Sequence, residues 1–245
     1  MLLLDKINEL KKIVTESSSI VFFGGAGVST ESNIPDFRSE NGLYKTKNNF
    51  SYPPEVMLSH TFFKNHTEDF FEFYREKMIF KDAKPNAAHY SLAKLEEQGK
   101  LKAIVTQNID GLHQLAGSKN VYELHGSIHR NYCMDCGKSF DLEYVIKSET
   151  TIPKCDKCGG IVKPDVVLYE EGLDDSIIQN SVKAISEADT LIVGGTSLVV
   201  YPAAGLIRYF KGNKLILINK SATAYDNEAD LVISDSIGKV LETVI

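Results

Sequence analysis

The chain has 245 residues, of which 43% are hydrophobic and 24% charged, so it is long enough for one large domain or for a large and a small one. Its formal net charge of −6 argues against nucleic acid as a default partner, because nucleic-acid-binding proteins usually carry a basic patch. The opening residues lack the apolar core of a signal peptide and no run reaches the length of a membrane span. We therefore expect a cytoplasmic protein without a membrane partner.

The first predicted element is an amphipathic helix, because apolar residues recur at helical spacing between Leu3 and Ile13. Six apolar runs then predict buried strands, at residues 19–25, 102–108, 165–170, 190–196, 214–220 and 230–235. Segments of helix length, such as 86–99 and 175–188, separate most of these runs. This alternation predicts an α/β fold with a doubly wound parallel sheet, whose ligand site lies at the carboxyl ends of the strands.

Two segments interrupt the alternation of strands and helices. Residues 43–82 are aromatic-rich and look mainly helical, and residues 127–163 contain every cysteine of the chain. We expect both to be insertions that together form a smaller lobe, beside a large domain made of residues 1–42, 83–126 and 164–245. The cleft between the two lobes is then the expected ligand site.

The loop after the first predicted strand is rich in glycine and reads GGAGVSTESNIPDFR. Gly25 and Gly27 allow the backbone to approach a phosphate, and we expect a helix to follow whose first amides favour an anion. The dehydrogenase fingerprint G-x-G-x-x-G requires a third glycine where this chain has Thr30. A tight turn without a ligand therefore explains the glycine pair about as well.

Arg38, at the end of the same loop, offers a planar guanidinium group for a phosphate or a carboxylate, and Phe37 could form the wall of an apolar pocket. The alternative is an ordinary surface loop in which Arg38 pairs with Asp36 or Glu40. The residues alone leave both interpretations open.

The cysteines follow the pattern C-x2-C-x18-C-x2-C and are Cys133, Cys136, Cys155 and Cys158. Four thiolates at this spacing predict one structural zinc ion, and disulfides are the weaker interpretation in a chain without an export signal. Four reduced structural cysteines are the remaining alternative. Because four sulfurs complete a tetrahedral shell, the metal does not require the nearby His125 or His129.

Five motifs in chain order resemble the sirtuins, the NAD-dependent protein lysine deacylases: GAGVSTESNIPDFR, TQNIDGLHQLAG, ELHG, the paired Cys-x2-Cys and GTSLVVYPAAG. The match runs from about Ile20 to Asn219. It implies a Rossmann-like large domain, a small lobe made of a helical and a zinc module, and NAD in the cleft between them. It also implies that the acyl oxygen of an acylated lysine attacks C1′ of the nicotinamide ribose. The products are then free lysine, nicotinamide and O-acyl-ADP-ribose.

The resemblance implies catalytic roles for His125, Asn108 and Asp110. His125 matches the general base, and an imidazole with an ordinary pKa of about 6.5 suits the removal of a proton from a ribose hydroxyl. Asn108 and Asp110 match residues around the nicotinamide, and Gln107 matches a ribose contact. The structural alternative is a polar loop in which Asp110 caps the next helix, and both roles could coexist.

The resemblance also implies a set of NAD contacts, among which Phe37 shields the reactive C1′ from water. The set comprises Gly25, Ala26, Gly27, Thr30, Asp36, Phe37, Arg38, Gln107, Asn108, Ile109, Asp110, His125, Gly195, Thr196, Ser197, Asn219, Lys220 and Ile237. The implied peptide site lies between two chain segments to which the substrate backbone adds as a strand. It comprises Phe37, Ile109, Val167, Leu168, Tyr169, Val199 and Val200. Plain buried strand is the alternative for both segments.

Three positions depart from the family pattern, and the first is Gly24, which stands where threonine is common and is expected to have little effect. Asn33 replaces a glycine, and asparagine tolerates a positive φ better than most residues. Glu170 also replaces a glycine, and we expect its carboxylate to favour basic peptides or to weaken peptide binding. Members that favour acidic acyl groups carry Tyr-x-x-Arg, whereas this chain has Lys77 at the last position. A solvated helix face is the alternative interpretation of Arg75 and Lys77.

The sequence therefore predicts an NAD-dependent protein-lysine deacylase, in the first place a deacetylase, that acts on acylated-lysine proteins or peptides. One alternative is an NAD-dependent mono-ADP-ribosyltransferase, which shares nicotinamide cleavage but transfers ADP-ribose to a protein side chain. The other is a non-catalytic sensor of NAD or ADP-ribose. The motifs around Asn108 and His125 argue against a sensor, because a sensor needs no base.

Overall fold

A computed structural model describes residues 2–39, 42–45 and 50–245 of the chain. Among these residues it contains a six-stranded sheet and a three-stranded sheet. The strands, in chain order, are β1 (Ile20–Gly24), β2 (Leu101–Thr106), β3 (Val121–Glu123), β4 (Gly126–Cys133), β5 (Ser139–Phe140), β6 (Val162–Val166), β7 (Thr190–Gly194), β8 (Lys214–Ile218) and β9 (Leu231–Ile233).

The large sheet is parallel throughout, in the order β3-β2-β1-β7-β8-β9. The first three strands wind outward in one direction from β1, and the remaining three wind outward in the other direction from β7. This is the Rossmann-like, doubly wound topology, and it leaves a crevice where the winding reverses, at the carboxyl ends of β1 and β7. The fold class expected from the sequence is confirmed.

Strand β1 shows why this sheet is covered on both sides. All its residues are buried, and their side chains alternate between two hydrophobic cores. Phe22 packs on one face with Leu10 and Leu92, whereas Phe23 packs on the other face with Ile185 and Leu206. A continuous apolar run is therefore what a central strand requires.

Nine α-helices are assigned within the described residues: α1 (Leu3–Glu16), α2 (Pro54–Met57), α3 (His60–Asn65), α4 (Thr67–Lys77), α5 (Ala87–Glu97), α6 (Leu112–Leu115), α7 (Leu142–Ile146), α8 (Asp175–Glu187) and α9 (Ile237–Val244). Helices α1, α5 and α9 contribute to the core on one side of the sheet and α8 to the core on the other. The helices expected near the start, at 86–99 and at 175–188 are thus confirmed. In the part of the chain that the structure describes, no helix has both the length and the apolar character that a bilayer crossing requires.

The small lobe is built around a third core that combines both insertions. Its sheet is antiparallel in the order β5-β4-β6. Aromatic side chains of α3 and α4, among them Phe63, Phe70 and Phe71, pack in one cluster with Val145 of α7 and Val162 of β6. Neither insertion buries this apolar surface alone, so the two fold as one lobe. The exact domain boundaries remain a prediction, and residues 46–49 of the first insertion lie outside the described residues.

The prediction of a parallel strand at residues 165–170 is wrong. The first two of these residues belong to β6, in which Val166 lies opposite Gly126 of the antiparallel partner β4. From Val162 to Leu168 the exposure alternates, with every second residue buried in the small-lobe core. This period of two is typical of a strand with one buried face, whereas strands of a parallel sheet are buried on both. The short strand β3 was not predicted, since two of its three residues are only partly buried.

Arg75 joins the two modules of the small lobe, so the interpretation that places it on a solvated helix face is wrong. Its guanidinium donates hydrogen bonds to the carbonyls of Thr151 (2.5 Å), Thr150 (3.2 Å) and Val145 (3.2 Å). These carbonyls lie in and after α7, while Arg75 lies on α4. Lys77, two residues later, makes only a local ion pair with Glu76 at 2.7 Å.

We predict that Arg75→Met lowers the free energy of unfolding by about 1–3 kcal/mol, because three carbonyls lose a charged donor. The free energies of unfolding of the wild type and of Arg75→Met are measured by chemical denaturation in the same buffer. Lys77→Met is the matched control, and its effect should stay within about 0.5 kcal/mol, as is usual for a surface ion pair. Equal stability of the Arg75 and Lys77 variants would contradict the bridging role.

Candidate functional site

The crevice at the reversal of strand order is closed at its base by backbone contact. Gly27 N–H donates to the Gly195 carbonyl at 2.8 Å, and Gly25 N–H donates to the Gly194 carbonyl at 3.3 Å. A Cβ atom at Gly27 would lie 2.8 Å from the Gly195 Cα atom. Glycine is therefore required here by the contact between the two loops, and the same contact brings the backbone amides of both to the crevice.

The expected α-helix after the first strand is absent from the described residues, and that expectation is wrong. The segment makes two 3-10 turns, Ala26–Val28 and Thr30–Ser32. The second ends at Asn33, whose φ of 62° is left-handed, and Pro35 follows. A left-handed residue stops a right-handed helix, so the turns cannot propagate. The positive φ shows that Asn33 adopts the left-handed conformation that asparagine was expected to tolerate.

Ser29 connects the residues expected around the nicotinamide. Its hydroxyl donates to the Asp110 carboxylate at 2.7 Å and accepts from the Asn108 side-chain amide at 3.1 Å. Asp110 also accepts from the Leu112 N–H at 2.9 Å. Burial raises the pKa of Asp110, and the bonds from Leu112 and Ser29 act in the opposite direction. The N-cap residue of α6 is Gly111, so Asp110 satisfies the first amide of the helix from the preceding position.

His125 lies in the short connection between β3 and β4 and is partly buried. Its Nδ1 atom is 3.0 Å from the Gln107 carbonyl oxygen. A carbonyl can only accept, so Nδ1 carries the proton and Nε2 keeps its lone pair. Burial lowers the pKa of His125, and the bond to Gln107 raises it by a smaller amount. The imidazole is therefore neutral near pH 7 and presents a basic nitrogen.

The far side of the crevice is organised by Thr196. The Thr196 hydroxyl accepts from the Gln107 side-chain amide at 3.1 Å. The Thr196 backbone N–H donates to the Asn219 side-chain oxygen at 2.9 Å. The Asn219 amide nitrogen is buried and has no hydrogen-bond partner among the described residues. A buried donor without a partner costs free energy, which points to a ligand atom at this position.

The remaining cofactor candidates differ in accessibility. Ser197 and Lys220 are exposed beside the crevice. The Ile237 side chain is buried in a hydrophobic core of the large domain, so only the backbone atoms of Ile237 can contact a cofactor. Asp36 accepts from the backbone N–H groups of Arg38 and Ser39, at 3.0 and 2.8 Å. Glu40, the alternative partner of Arg38, lies outside the described residues.

The two segments expected to hold a peptide lie on different lobes. Val167 N–H donates to the His125 carbonyl at 3.0 Å, which places this segment beside the candidate base. Tyr169 is 39% exposed, but Leu168 is buried in the small-lobe core, so only its backbone is available to a peptide. On the large domain, Val199 is 55% exposed and Val200 partly buried.

The Glu170 side chain is bonded to the small lobe, and its expected effect on peptide binding stays a prediction. Its carboxylate accepts from the backbone N–H of Thr61 at 2.9 Å and from the Thr61 hydroxyl at 2.7 Å. These bonds lower its pKa and satisfy donors in the first turn of α3. Its φ of 76° is the left-handed conformation for which glycine is usual. The side chain thus offsets, by capping a helix, the strain that its own backbone carries.

The four cysteines converge at one end of the small lobe. Their Sγ atoms all lie within 4.8 Å of one another, and no disulfide joins them. The shortest cross-pair distances are 3.4 Å, between Cys133 and Cys158, and 3.7 Å, between Cys136 and Cys155. A backbone hydrogen bond from Cys136 lowers the pKa of Cys133 to about 7. Such a cluster of thiols offers four sulfur donors to one soft cation.

Sequence reasoning missed Ser29 and Tyr44. Ser29 stands in the first loop without a signal of its own in the sequence, and its bonds to Asn108 and Asp110 are visible only in the structure. His129, which the metal was not expected to require, is exposed and has a structural role, since its Nε2 lies 3.0 Å from the Asp110 carbonyl and supports the 108–112 loop. The Tyr44 hydroxyl lies 2.7 Å from the Tyr169 hydroxyl.

Comparisons with known proteins agree on one family. Residues 25–202 match the model of the Sir2 family. A protein of Clostridium acetobutylicum named NAD-dependent protein deacetylase is 99% identical over 245 residues, covering 100% of each chain. A solved Sir2 structure with a deacetylated p53 peptide and 3′-O-acetyl ADP-ribose is 40% identical, with a TM-score of 0.88 over 97% of this chain and 96% of its own. A structure of Sir2 with a p53 peptide and NAD+ is 38% identical, with a TM-score of 0.86 over 97% and 96%.

We predict that Ser29→Ala costs more stability at pH 8 than at pH 4, up to about 1–3 kcal/mol at pH 8. Removing the hydroxyl raises the folded-state pKa of Asp110 further above its ordinary 3.8, while the unfolded pKa is unchanged. The added loss is therefore absent below the unfolded pKa and develops as the pH rises through the folded pKa. Denaturation across this pH range measures it.

The matched control is Ser29→Ala in a chain that also carries Asp110→Asn. Without a titrating carboxylate, the cost of Ser29→Ala should no longer depend on pH. A pH dependence that persists in the Asp110→Asn background would place its origin elsewhere.

Proposed function

Because the chain belongs to the Sir2 family, we propose that it acts as an NAD-dependent protein-lysine deacetylase. The acyl oxygen of an acylated lysine attacks C1′ of the nicotinamide ribose, and the products are deacylated lysine, nicotinamide and O-acyl-ADP-ribose. The observation that carries this proposal is the state of His125, a neutral imidazole with a free basic nitrogen at the edge of the crevice. A protein that only binds NAD has no use for such a base.

His125 acts as the general base in this proposal. The Gln107 carbonyl holds Nδ1–H, so Nε2 is the atom that accepts a proton from a ribose hydroxyl. Asn108 and Asp110 orient the nicotinamide end of the cofactor. Their side chains are held in place by Ser29, which leaves them little freedom to turn away. Burial keeps this end of the crevice poor in water, which favours transfer to the acyl oxygen over hydrolysis.

The described residues fit NAD at the other end of the crevice as well. The unpartnered amide of Asn219 is a donor that a ribose hydroxyl can satisfy. Backbone amides of the first loop and the hydroxyl group of Ser197 are donors for the pyrophosphate, whereas the Thr30 hydroxyl donates to the Gly27 carbonyl at 3.0 Å and holds the loop in shape. Phe37 packs at a ring distance of 5.5 Å against Tyr44 and covers the reactive carbon.

The acylated peptide binds between the segments around Val167 and Val199. Strand addition takes affinity from main-chain hydrogen bonds, so many protein sequences are acceptable substrates. The Val167 carbonyl accepts the acyl-lysine N–H, and the exposed side chains of Tyr169 and Val199 line the entrance. The Glu170 carboxylate is bonded to Thr61 at the start of α3. This supports a peptide site that the negative charge of Glu170 does not block.

Zinc fits the four cysteines as a structural ion. Tetrahedral coordination with bonds of about 2.3 Å puts sulfur atoms about 3.8 Å apart, close to the distances of 3.4 and 3.7 Å between the two cysteine pairs. With four protein ligands no position is left for a substrate, so the ion supports the fold of the small lobe. We place the enzyme in the cytoplasm, a compartment in which thiols stay reduced and available to the metal.

The decisive test is mass spectrometry of an acetyl-lysine peptide incubated with the protein and NAD. We expect loss of the acetyl mass together with formation of nicotinamide and O-acetyl-ADP-ribose. His125→Ala should lower the rate by roughly 10²–10⁴-fold, the usual contribution of a general base. Exposed His66, on the helical part of the small lobe, is the matched control, and His66→Ala should keep the full rate.

Other outcomes discriminate between the candidate functions. Release of nicotinamide with an unchanged peptide, and with ADP-ribose attached to protein, would favour the ADP-ribosyltransferase. Binding of NAD without any turnover would favour the sensor. Full activity of His125→Ala would remove His125 from the role of base while leaving the deacetylase intact.

Removal of zinc is expected to unfold the small lobe, because a structural zinc ion contributes directly to folding. We expect about one zinc ion per chain by elemental analysis, and a lower melting temperature after treatment with a chelator. Cys136→Ser should lose the ion. Met134→Ala, an exposed residue between two ligands, should retain it. A chelated protein with unchanged melting would contradict the structural role.

A further inference from the structure

A pair of tyrosine hydroxyl groups joins the loop assigned to the cofactor to the segment assigned to the peptide. Tyr44 OH and Tyr169 OH lie 2.7 Å apart, and either can be the donor. The two residues are far apart in sequence and belong to different binding segments. A direct hydrogen bond therefore spans the boundary between the two substrates.

Tyr44 is tied to the residues that cover the reactive end of NAD. Its backbone N–H donates to the Phe37 carbonyl at 3.0 Å, and its ring lies 5.5 Å from the Phe37 ring. The guanidinium carbon of Arg38 lies 5.4 Å from the centre of the Tyr44 ring. A shift of Tyr44 would thus move Phe37 and Arg38 with it.

Tyr169 is tied equally firmly to the peptide segment. Its N–H donates to the Leu58 carbonyl at 2.9 Å, and its carbonyl accepts from the His60 N–H at 2.9 Å. The Val167 N–H, two residues earlier, donates to the His125 carbonyl at 3.0 Å. The backbone is therefore held on both sides of the position where an acylated lysine would bind, and the Tyr169 side chain reaches from there to the cofactor loop.

We propose that Tyr44 and Tyr169 are positioning residues whose hydroxyl–hydroxyl bond couples the binding of the acylated peptide to the binding of NAD. The proposal rests on the proposed function, since it concerns the two substrates of that reaction. A ligand that orders one of the two segments orders the other through the bond. Each substrate then increases the affinity for the other by the same factor, as linkage requires.

The bond remains available over the whole physiological pH range. Burial, followed by the bond to Tyr169, raises the pKa of Tyr44 well above its ordinary value of 10. Its hydroxyl therefore keeps its proton, and the coupling should not change between pH 6 and pH 9. Phenylalanine at either position keeps the ring contacts and removes the hydrogen bond alone.

The coupling is measured with ADP-ribose, which lacks nicotinamide and so permits binding without reaction. A fluorescent acetyl-lysine peptide is titrated with the protein, without and with saturating ADP-ribose, and the ratio of the two dissociation constants is the coupling factor. Wild type, Tyr44→Phe, Tyr169→Phe and the double variant are compared. Tyr52→Phe is the matched control, because Tyr52 is a surface tyrosine of the same lobe. Melting temperatures verify that every variant is folded.

We expect ADP-ribose to tighten peptide binding to the wild type. In each single variant the coupling factor should be about fivefold smaller, which is the equivalent of one hydrogen bond. The double variant should lose no more than either single variant, because both remove the same bond. Tyr52→Phe should leave the factor unchanged. A merely structural role would lower the melting temperature without changing the coupling factor.

The inference is overturned if the wild type deacetylates the peptide but shows no coupling, or if the factor is unchanged in both single variants. It is also overturned if the two losses add in the double variant. A wild type that binds NAD but neither binds nor deacetylates the peptide would contradict the proposed function itself, and the coupling with it. The two failures are thus distinguishable.

Discussion

The backbone contact between the loops that follow β1 and β7 determines the geometry of the whole crevice. These strands lie side by side at the point where the sheet reverses its winding, so their loops leave in opposite directions and meet only at the base. Gly27 and Gly195 are hydrogen-bonded there so closely that a Cβ atom would not fit. Every other part of the site is placed relative to this contact. The loop after β2 brings Asn108 to one side, and Asn219 after β8 closes the other.

The small lobe depends on a different constraint, which is the burial of aromatic side chains. Its two insertions are separated by more than one strand and helix of the large domain, yet their apolar residues form a single core. Arg75 adds hydrogen bonds between the insertions, and the cysteine cluster organises the far end. A lobe with its own core can move as a unit over the crevice. The bond from Val167 to His125 links this lobe to the candidate base, and the bond from Tyr44 to Tyr169 joins two binding segments within the lobe.

Backbone strain is concentrated around this site. The residues other than glycine with positive φ, among those described, are Asn33, Glu170 and Leu198. Asn33 ends the first loop, Glu170 follows one peptide segment, and Leu198 lies within the other. Strained conformations persist where the surroundings over-determine them, and they are common at binding sites. At Glu170 the compensation is visible, because the carboxylate caps α3. The departure from glycine is thus accommodated locally, by a side chain that turns toward its own lobe.

The sequence by itself determined the doubly wound sheet, most helices, the cysteine cluster and the family, because these depend on local periodicity or on spacing along the chain. It also singled out His125 and Asn108 as candidates, since they stand in compact motifs. It could not determine that residues 165–170 belong to the small lobe, because a run such as VVLY fits a strand buried on one face or on both. Nor could it identify Ser29 or Tyr44 as connecting residues. Hydrogen bonds between distant segments leave no periodic trace in the sequence, and only tertiary packing within each lobe brings such partners together.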